Sequence, residues 1–576
     1  MTKGDTIRST CPYCGVGCGV LLTPDGQGGL DVKGDPDHPA NLGRLCSKGS
    51  ALGETVGLGA RLMRPRMGGQ DVSWDDALSE VAKRFRETID THGPDSAAFY
   101  VSGQLLTEDY YVANKLMKGF IGSANIDTNS RLCMASTVAG HKRAFGTDTV
   151  PGTYEDLDEA DLIVLVGSNL AWCHPVLYQR VMAAQAERGT RIIVVDPRRT
   201  ASCDKAELHL PLAPGSDVAL FNHLLTRIVD QGLVDERYLT HVNGFDAAVA
   251  NARENNDLSV TDLPAEDIEA FCSAWLGTQK VVTIFSQGVN QSSSGADKVN
   301  SILNCHLATG RIGTPGCGPF SVTGQPNAMG GREVGGLANM LACHLDLEDA
   351  THRDAVASFW GAHDLPANPG LKAVDMFRAV ESGQIRALWI IHTNPAVTMP
   401  EADRVRDAIA NCDFTVVSDI TAETDTARLA DVLLPAAAWG EKSGTVTNSD
   451  RTMSRQRPVL PVPGEARPDW DIMAEVGRRM GWGEAFDDET PAEVFFEYAA
   501  LSGVAAKFGL DFDISALSGI TAQEYDDLEP QKWPVSATRK GGRFFADGGF
   551  FHADGKAEML PITHRPPEAK TEKLHK

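Results

Sequence analysis

The chain has 576 residues, 42% hydrophobic and 23% charged, with a formal net charge of -24. That length supplies roughly three or four domains' worth of chain, and the acidic balance argues against binding nucleic acid or an anionic membrane surface. No apolar run approaches the length of a membrane span. The opening M-T-K-G-D-T-I-R-S-T has neither the apolar core of a signal peptide nor twin arginines, so a cytoplasmic protein is expected.

Residues 1–60 are rich in glycine and short of helical periodicity, which predicts strands and turns. They carry C-P-Y-C-G-V-G-C and, after a gap of 27 residues, L-C-S-K-G. Cys11, Cys14, Cys18 and Cys46 are therefore candidate metal ligands. Three thiolates within eight residues can surround an iron–sulfur cubane while Gly15, Gly17 and Gly19 let the backbone turn closely around it. Zinc is the alternative, although it more often takes two separated C-x2-C pairs. The other eight cysteines are scattered, which fits no disulfide framework. The first 70 residues hold eight Lys/Arg against six Asp/Glu, a net +2, so the cluster end is the least acidic part.

Ala77, Leu78, Val81, Phe85 and Ile89 recur at helical spacing and predict a helix from Trp74 to about Thr91. A second helix is expected over Glu108 to Phe120. Short apolar runs then alternate with longer stretches: Leu162–Val166, Ile192–Val195, Val281–Phe285, Ala387–Ile391 and Phe414–Val417. That alternation predicts an α/β fold. Residues 286–340, dominated by glycine and asparagine, read as loops around a ligand.

Two stretches resemble each other. The first reads L-I-V-L-V-G-S-N (162–169), I-I-V-V-D-P-R-R-T (192–200) and L-H-L-P-L-A-P-G; the second reads L-W-I-I-H-T-N-P (388–395), T-V-V-S-D-I-T (415–421) and A-D-V-L-L-P-A-A-A-W-G. Each is a strand ending in a polar loop, then a strand ending in an acid, as doubly wound sheets present to nucleotides. Two such halves imply two nucleotide-bearing ligands, or one dinucleotide crossing a pseudo-dyad. Buried parallel strands also resemble one another for packing reasons alone. Neither copy has G-x-G-x-x-G, which argues against an ordinary nicotinamide or flavin site.

Together with N-I-D-T-N-S-R-L-C-M-A-S (125–136), A-W-C-H-P (171–175), V-N-Q-S-S-S-G (289–295), G-Q-P-N-A-M-G-G-R-E-V-G-G (324–336) and W-G-E-K-S-G-T-V-T-N-S (439–449), these features resemble the molybdopterin oxidoreductases that carry a bis(molybdopterin guanine dinucleotide) cofactor, and within them the catalytic subunits of bacterial cytoplasmic assimilatory nitrate reductases. The resemblance covers essentially the whole chain. It implies a multidomain α/β architecture with a small N-terminal iron–sulfur domain and two pseudo-symmetric doubly wound nucleotide-binding domains. The implied boundaries are 1–60 for the 4Fe-4S domain, joined by parts of 450–565, and 131–320 for the first nucleotide-binding domain. The second would combine 61–130 with about 321–450. A frayed tail would follow over 566–576, and the family's C-terminal β-barrel-like domain would be absent.

The same resemblance assigns roles. The four N-terminal cysteines would hold a 4Fe-4S cluster, Lys48 would lie between cluster and pterin, and Cys133 would ligate molybdenum. Met134 stands where formate dehydrogenases of the family typically carry histidine. A base beside the metal suits oxidation of a C–H bond, so its absence favours nitrate over formate. Arg332, with a planar, permanent charge, is the candidate binder of a trigonal oxyanion. Related nitrate reductases often have methionine where Gln287 sits. The first dinucleotide would be held by Gly167, Ser168, Asn169, Asp196, Arg198, Gly215, Ser216 and Asp217. The second would be held by Asn394, Ser418, Asp419, Lys442 and Asp469, with Gln325 and Asn327 donating hydrogen bonds at the metal. His174 sits in a family string, while His306, His344 and His392 have no metal-ligand spacing. The implied reaction is two-electron reduction of nitrate to nitrite. The alternatives are formate dehydrogenase chemistry, or a truncated, non-catalytic cofactor-binding or electron-carrying fragment. Electrons would come from a small acidic carrier, ferredoxin or flavodoxin, docking near Lys33, Arg44, Arg61 and Arg64, or from an NADH-oxidising flavoprotein.

Overall fold

The computed structural model describes residues 4–363 and 365–569. Two parallel sheets form its frame. One has five strands in the order Leu208–Leu210, Arg191–Val195, Leu162–Val166, Val281–Phe285, Gly318–Ser321. The other has seven, and its parallel part runs Val432–Pro435, Phe414–Asp419, Ala387–Ile391, Ala97–Val101, Ile126–Thr128. Arg66–Met67 and Gln70–Asp71 add an antiparallel hairpin at its edge. The two orders correspond strand for strand, with one difference. In the first sheet the two strands past the centre follow it in sequence, whereas in the second they precede it. Leu162–Val166 and Ala387–Ile391, the central strands, are buried at every position. Burial on both faces is why they appear in the sequence as unbroken apolar runs.

The helix Trp74–His92 begins where Ser73 Oγ accepts the Asp76 N–H at 3.1 Å and ends at Gly93, whose φ of 84° only glycine adopts readily. Its stripe of Trp74, Ala77, Leu78, Val81, Ala82 and Phe85 is buried. The second expected helix is Thr107–Asn114, continued by a wider π-helical stretch Lys115–Ile121. Residues 286–340 are not simply loops. They include the 14-residue helix Gly295–Ala308, the strand Gly318–Ser321 and the short helix Ala328–Glu333. Gly295–Ala308 lies between the helices Arg131–Phe145 and Asp217–Asp230 and is buried at most positions, with polar residues such as Asn300, Ser301 and Asn304 inside, so the segment reads in the sequence as a polar loop.

The first strands, Ile7–Thr10, Gly19–Pro24 and Leu30–Gly34, form an antiparallel meander. It docks on a second antiparallel sheet made of Gly444–Thr447, Thr452–Gln456 and Gln531–Lys532. Thr10 Oγ1 donates to the Arg455 carbonyl at 3.0 Å across that seam. In the tail that begins at 566, Pro567 lies against Gly215 and the Glu568 N–H donates to Ser293 Oγ at 3.3 Å, while 566, 568 and 569 are exposed. Residues 570–576 of that tail lie outside the described residues. Among the described residues, no helix is long and apolar enough to cross a membrane.

Candidate cofactor and metal site

In a doubly wound sheet, ligands bind beyond the carboxyl ends of the strands where the strand order reverses. The first sheet reverses between Leu162–Val166 and Val281–Phe285, and a cavity of about 480 Å³ opens there, lined by Gly167, Asp196, Gly215, Asp217, Gly288 and Lys298 among others. The second reverses between Ala387–Ile391 and Ala97–Val101. A cavity of about 230 Å³ opens there, lined by Gln104, His392, Ile420, Trp439 and Lys442 and closed by Tyr13 of the cysteine loop.

Corresponding residues make the same bonds in the two halves. Asn169 Oδ1 accepts from Ser202 Oγ at 3.1 Å, and Ser202 Oγ accepts from the Ala171 N–H at 3.0 Å. Asn394 Oδ1 accepts from Thr426 Oγ1 at 2.7 Å, and Thr426 Oγ1 accepts from the Ala396 N–H at 3.1 Å. Asp196 accepts the N–H of Arg198 at 2.9 Å, as Asp419 accepts that of Thr421 at 3.3 Å. Burial raises both carboxyls above their ordinary range. Packing of parallel strands does not require such matched side-chain clamps.

The occupants of the two cavities differ. In the first, Lys298 and Asp217 form a buried pair at 2.7 Å, Arg198 is exposed, and Ser168 Oγ is buried without a partner. Gly167, at φ 52°, lies so close to Gly288 that a Cβ would come 2.7 Å from its Cα. Ser216 spends its hydroxyl on the Ala213 carbonyl at 2.7 Å. In the second, Lys442 Nζ lies 2.7 Å from Asp469 Oδ2 and 2.9 Å from Asp109 Oδ2, and His392 Nε2 is 3.0 Å from the same Asp469 oxygen. Burial works against the Lys442 ammonium, but the two carboxylates prevail and raise its pKa. Burial would likewise raise Asp469, yet His392 and Lys442 hold it well below the usual range. Ser418 is buried in its strand and accepts the Trp389 indole N–H at 2.9 Å, which is a packing contact rather than a lining of the cavity. His392, read from the sequence as bland, is the residue that was missed.

Cys133 sits in the first turn of Arg131–Phe145, and Met134 kinks that helix at φ -137°, ψ 16° while almost wholly buried. Gln287 Nε2 donates to Cys133 Sγ at 3.4 Å, and Gly324 lies beside the same sulfur. Gln325 bridges Ser130 Oγ at 2.6 Å and Asn129 Oδ1 at 2.7 Å, so it does shape the loop before Cys133. Asn327 departs from expectation. Its amide donates to the Leu105 carbonyl and Thr107 Oγ1, and its oxygen accepts the Thr447 N–H, so its hydrogen-bonding groups are committed within the protein. Arg332 is buried with its Nε 3.1 Å from Asp148 Oδ2 and its NH2 3.0 Å from Met329 Sδ, while NH1 has no partner.

In the N-terminal meander, Cys11 and Cys18 are buried, and Cys14 and Cys46 are half-buried. Cys46 Sγ accepts the Gly49 N–H at 3.5 Å, and the exposed Lys48 lies over the Tyr13 ring at 5.9 Å. Burial pushes the Cys11 thiol up to about 12, Cys14 and Cys46 adding to the effect and Lys48 opposing it. Burial raises Cys18 too, reinforced by the other three thiols. Such thiols lose their protons only to a metal that replaces them. Among the described residues, no three His, Cys, Asp or Glu side chains converge on a single ion. Zinc would need its thiolates at about 2.3 Å from a single ion, a convergence not found among the described residues. Gly15 of this loop presses on Thr323, where a Cβ would come 2.3 Å from the carbonyl oxygen, and Gly324 beyond it faces Cys133. The cluster loop thus packs directly on the loop that faces Cys133. Of the basic groups expected to receive a carrier, Arg61 is buried against Glu441 and Arg64 pairs with Glu465 at 3.0 Å. Arg61 is therefore a structural group, because a count of charges along the sequence does not see its partner.

The family description "Molybdopterin oxidoreductase" matches residues 61–479, and "Molybdopterin oxidoreductase Fe4S4 domain" matches 5–57. The chain belongs to the molybdopterin oxidoreductase family. It is 51% identical to a nitrate reductase of Klebsiella oxytoca over 99% of this chain and 65% of that protein. It is 47% identical to a nitrate reductase of Shewanella frigidimarina (strain NCIMB 400) over 96% of this chain and 61% of that protein. The chain thus spans less than two thirds of the length of either relative. Acetylene hydratase from Pelobacter acetylenicus shares the fold, with a TM-score of 0.75 at 19% identity over 96% of this chain and 77% of that one. The residues present fit the family's cofactors. Besides the four thiols, Ser168 Oγ, His174 Nδ1, Thr323 Oγ1 and Asp469 Oδ1 are buried without partners, and buried polar atoms are stable only when something pairs with them.

Proposed function

We propose that this molybdopterin oxidoreductase reduces nitrate to nitrite. The observation that carries the reading is the neutral wall around Cys133: the Gln287 amide donates to its sulfur, Gly324 lies beside it, and buried Met134 follows it. A base at the C–H bond suits formate oxidation, and Gln287, Gly324 and Met134 supply none. The identity with two nitrate reductases supports the same substrate. When bound, the cofactor would supply a molybdenum centre able to exchange two electrons. Cys133 would be its protein ligand, a soft thiolate. Gln287 would orient that thiolate, and Arg332 would hold the planar anion. The cluster loop, packed on the loop that faces Cys133, would pass electrons inward past Lys48. Twelve free cysteines suit a reducing compartment, and a cytoplasmic location and the assimilatory role belong to this reading. So does docking of an acidic carrier, with Lys33 and Arg44 as the basic groups left near the cluster.

The test is a side-by-side assay on purified protein analysed for iron and molybdenum. Reduced viologen should drive nitrite formation from nitrate, and formate should not reduce an oxidised dye. Formate oxidation without nitrate reduction would replace this reading. Iron without molybdenum and neither activity would favour an electron-carrying fragment.

A further inference from the structure

The helix that presents Cys133 carries His141 about two turns later, beyond the kink at Met134. Asp148 follows that helix, and Arg332 reaches it from Ala328–Glu333. His141 and Asp148 are each 1% exposed and Arg332 is 4% exposed. Arg332 Nε stands 3.1 Å from Asp148 Oδ2, and His141 Nδ1 stands 3.8 Å from Asp148 Oδ1. Outside that 3.1 Å ion pair, four buried polar atoms of this trio lack a hydrogen-bond partner: both ring nitrogens of His141, Oδ1 of Asp148 and NH1 of Arg332. Native proteins keep such atoms rare, and this many in one place mark a site made to receive charge.

The trio's charge balance decides what it can receive. Asp148 already neutralises Arg332, and burial keeps the imidazole uncharged, pushed down to about 4. A monoanion at the unpartnered NH1 of Arg332 would leave a net negative charge in a buried site, which is costly. We propose that a small monoanion binding at Arg332 brings one proton with it, and that His141 accepts that proton. Two ion pairs then replace one: the anion with Arg332, and Asp148 with the imidazolium. The charges acting on His141 are Asp148 and Arg332, and the Phe145 ring packs against it at 5.3 Å. Farther out, Glu333, His344 and Asp511 form a second buried set, and His344 also feels Asp148.

This deepens the nitrate reading and rests on it only for the identity of the anion. Reduction of nitrate to nitrite and water takes up two protons with two electrons. One of those protons would be loaded with the substrate, before any electron arrives.

The test is calorimetric titration of the oxidised, iron- and molybdenum-loaded protein with nitrate, in buffers of different ionisation enthalpy. Oxidised protein cannot turn nitrate over, so the heat reports binding and proton uptake. A parallel titration uses formate with the reduced protein. Uptake of about one proton per nitrate is expected, with affinity falling about tenfold per pH unit on the alkaline side. His141→Gln should bind nitrate with no uptake. Asp148→Asn, which leaves Arg332 unbalanced, should bind nitrate more tightly than the parent and also without uptake. A trio that served only to hold the fold would show the opposite, weaker binding in Asp148→Asn. Nitrate binding to the parent without proton uptake would overturn the proposal. So would failure of both anions to bind. Formate binding with one proton, and no binding of nitrate, would overturn the nitrate reading and leave the proton coupling standing.

Discussion

The two nucleotide-type halves share a scaffold and differ in what fills it. Strand order, the Asn169 and Asn394 clamps and the Asp196 and Asp419 turns match bond for bond. Even the first residue after each central strand has the same backbone, φ 52° at Gly167 and φ 52° at His392. Beyond that frame the first half holds one buried lysine–carboxylate pair beside a cavity of about 480 Å³. The second packs Lys442, Asp109, Asp469 and His392 into the wall of a cavity of about 230 Å³. Backbone geometry is thus kept by local clamps, while charge is free to diverge between the halves.

The largest effect should come from breaking that charge contrast. Lys442→Met strands two buried carboxylates and should cost roughly 3–5 kcal/mol in urea unfolding, whereas Lys298→Met strands one and should cost at least about 1 kcal/mol less. Equal losses would mean that the halves are electrostatically alike. Next in size is the helix Ala328–Glu333, which contributes to neither parallel sheet. Arg332→Lys should lower nitrate kcat/KM about 30- to 1000-fold, or roughly 2–4 kcal/mol, because one ammonium cannot both face Asp148 and hold a planar anion. Unchanged kinetics would return Arg332 to a structural role.

A smaller effect tests the second antiparallel sheet, where Lys532 pairs with Asp450 in the turn between two of its strands. Burial would raise the Asp450 carboxyl, but Lys532 at 2.7 Å wins and lowers it from 3.8 to about 2. With a folded pKa below the unfolded one, its contribution is complete above about pH 5 and is lost as pH falls toward 2; it amounts to roughly 2 kcal/mol. Asp450→Asn should be less stable at neutral pH and show a correspondingly flatter loss in acid unfolding. The smallest effect separates Gly167 from His392. Gly167→Ala meets the Gly288 backbone and should cost about 1–2 kcal/mol. His392→Gly relieves a strained φ while losing one bond to Asp469, and its stability should change by less than about 1 kcal/mol. A large loss in His392→Gly would show that the Asp469 bond holds the second half together.

The sequence revealed the strands best where both faces are buried, as at Leu162–Val166 and Ala387–Ile391, because such strands must be apolar throughout. It concealed Gly295–Ala308 because that helix buries polar residues, among them Asn300, Ser301 and Asn304, which read as a loop. The second sheet joins strands before residue 130 to strands after 386, and no local pattern could report that pairing. His392 could have been found, since the internal repeat aligns it with Gly167, and histidine is among the residues that tolerate positive φ. Arg61 and Asn327 were misjudged because their partners, Glu441 and Thr447, are remote in sequence.

The central claim is that Cys133 holds the reacting metal while a separate cluster feeds it. Cys133→Ser, assayed with reduced viologen and analysed for iron, should keep the parent's iron content and lose nitrite formation. Retention of most of the activity, or loss of the iron together with it, would contradict the account.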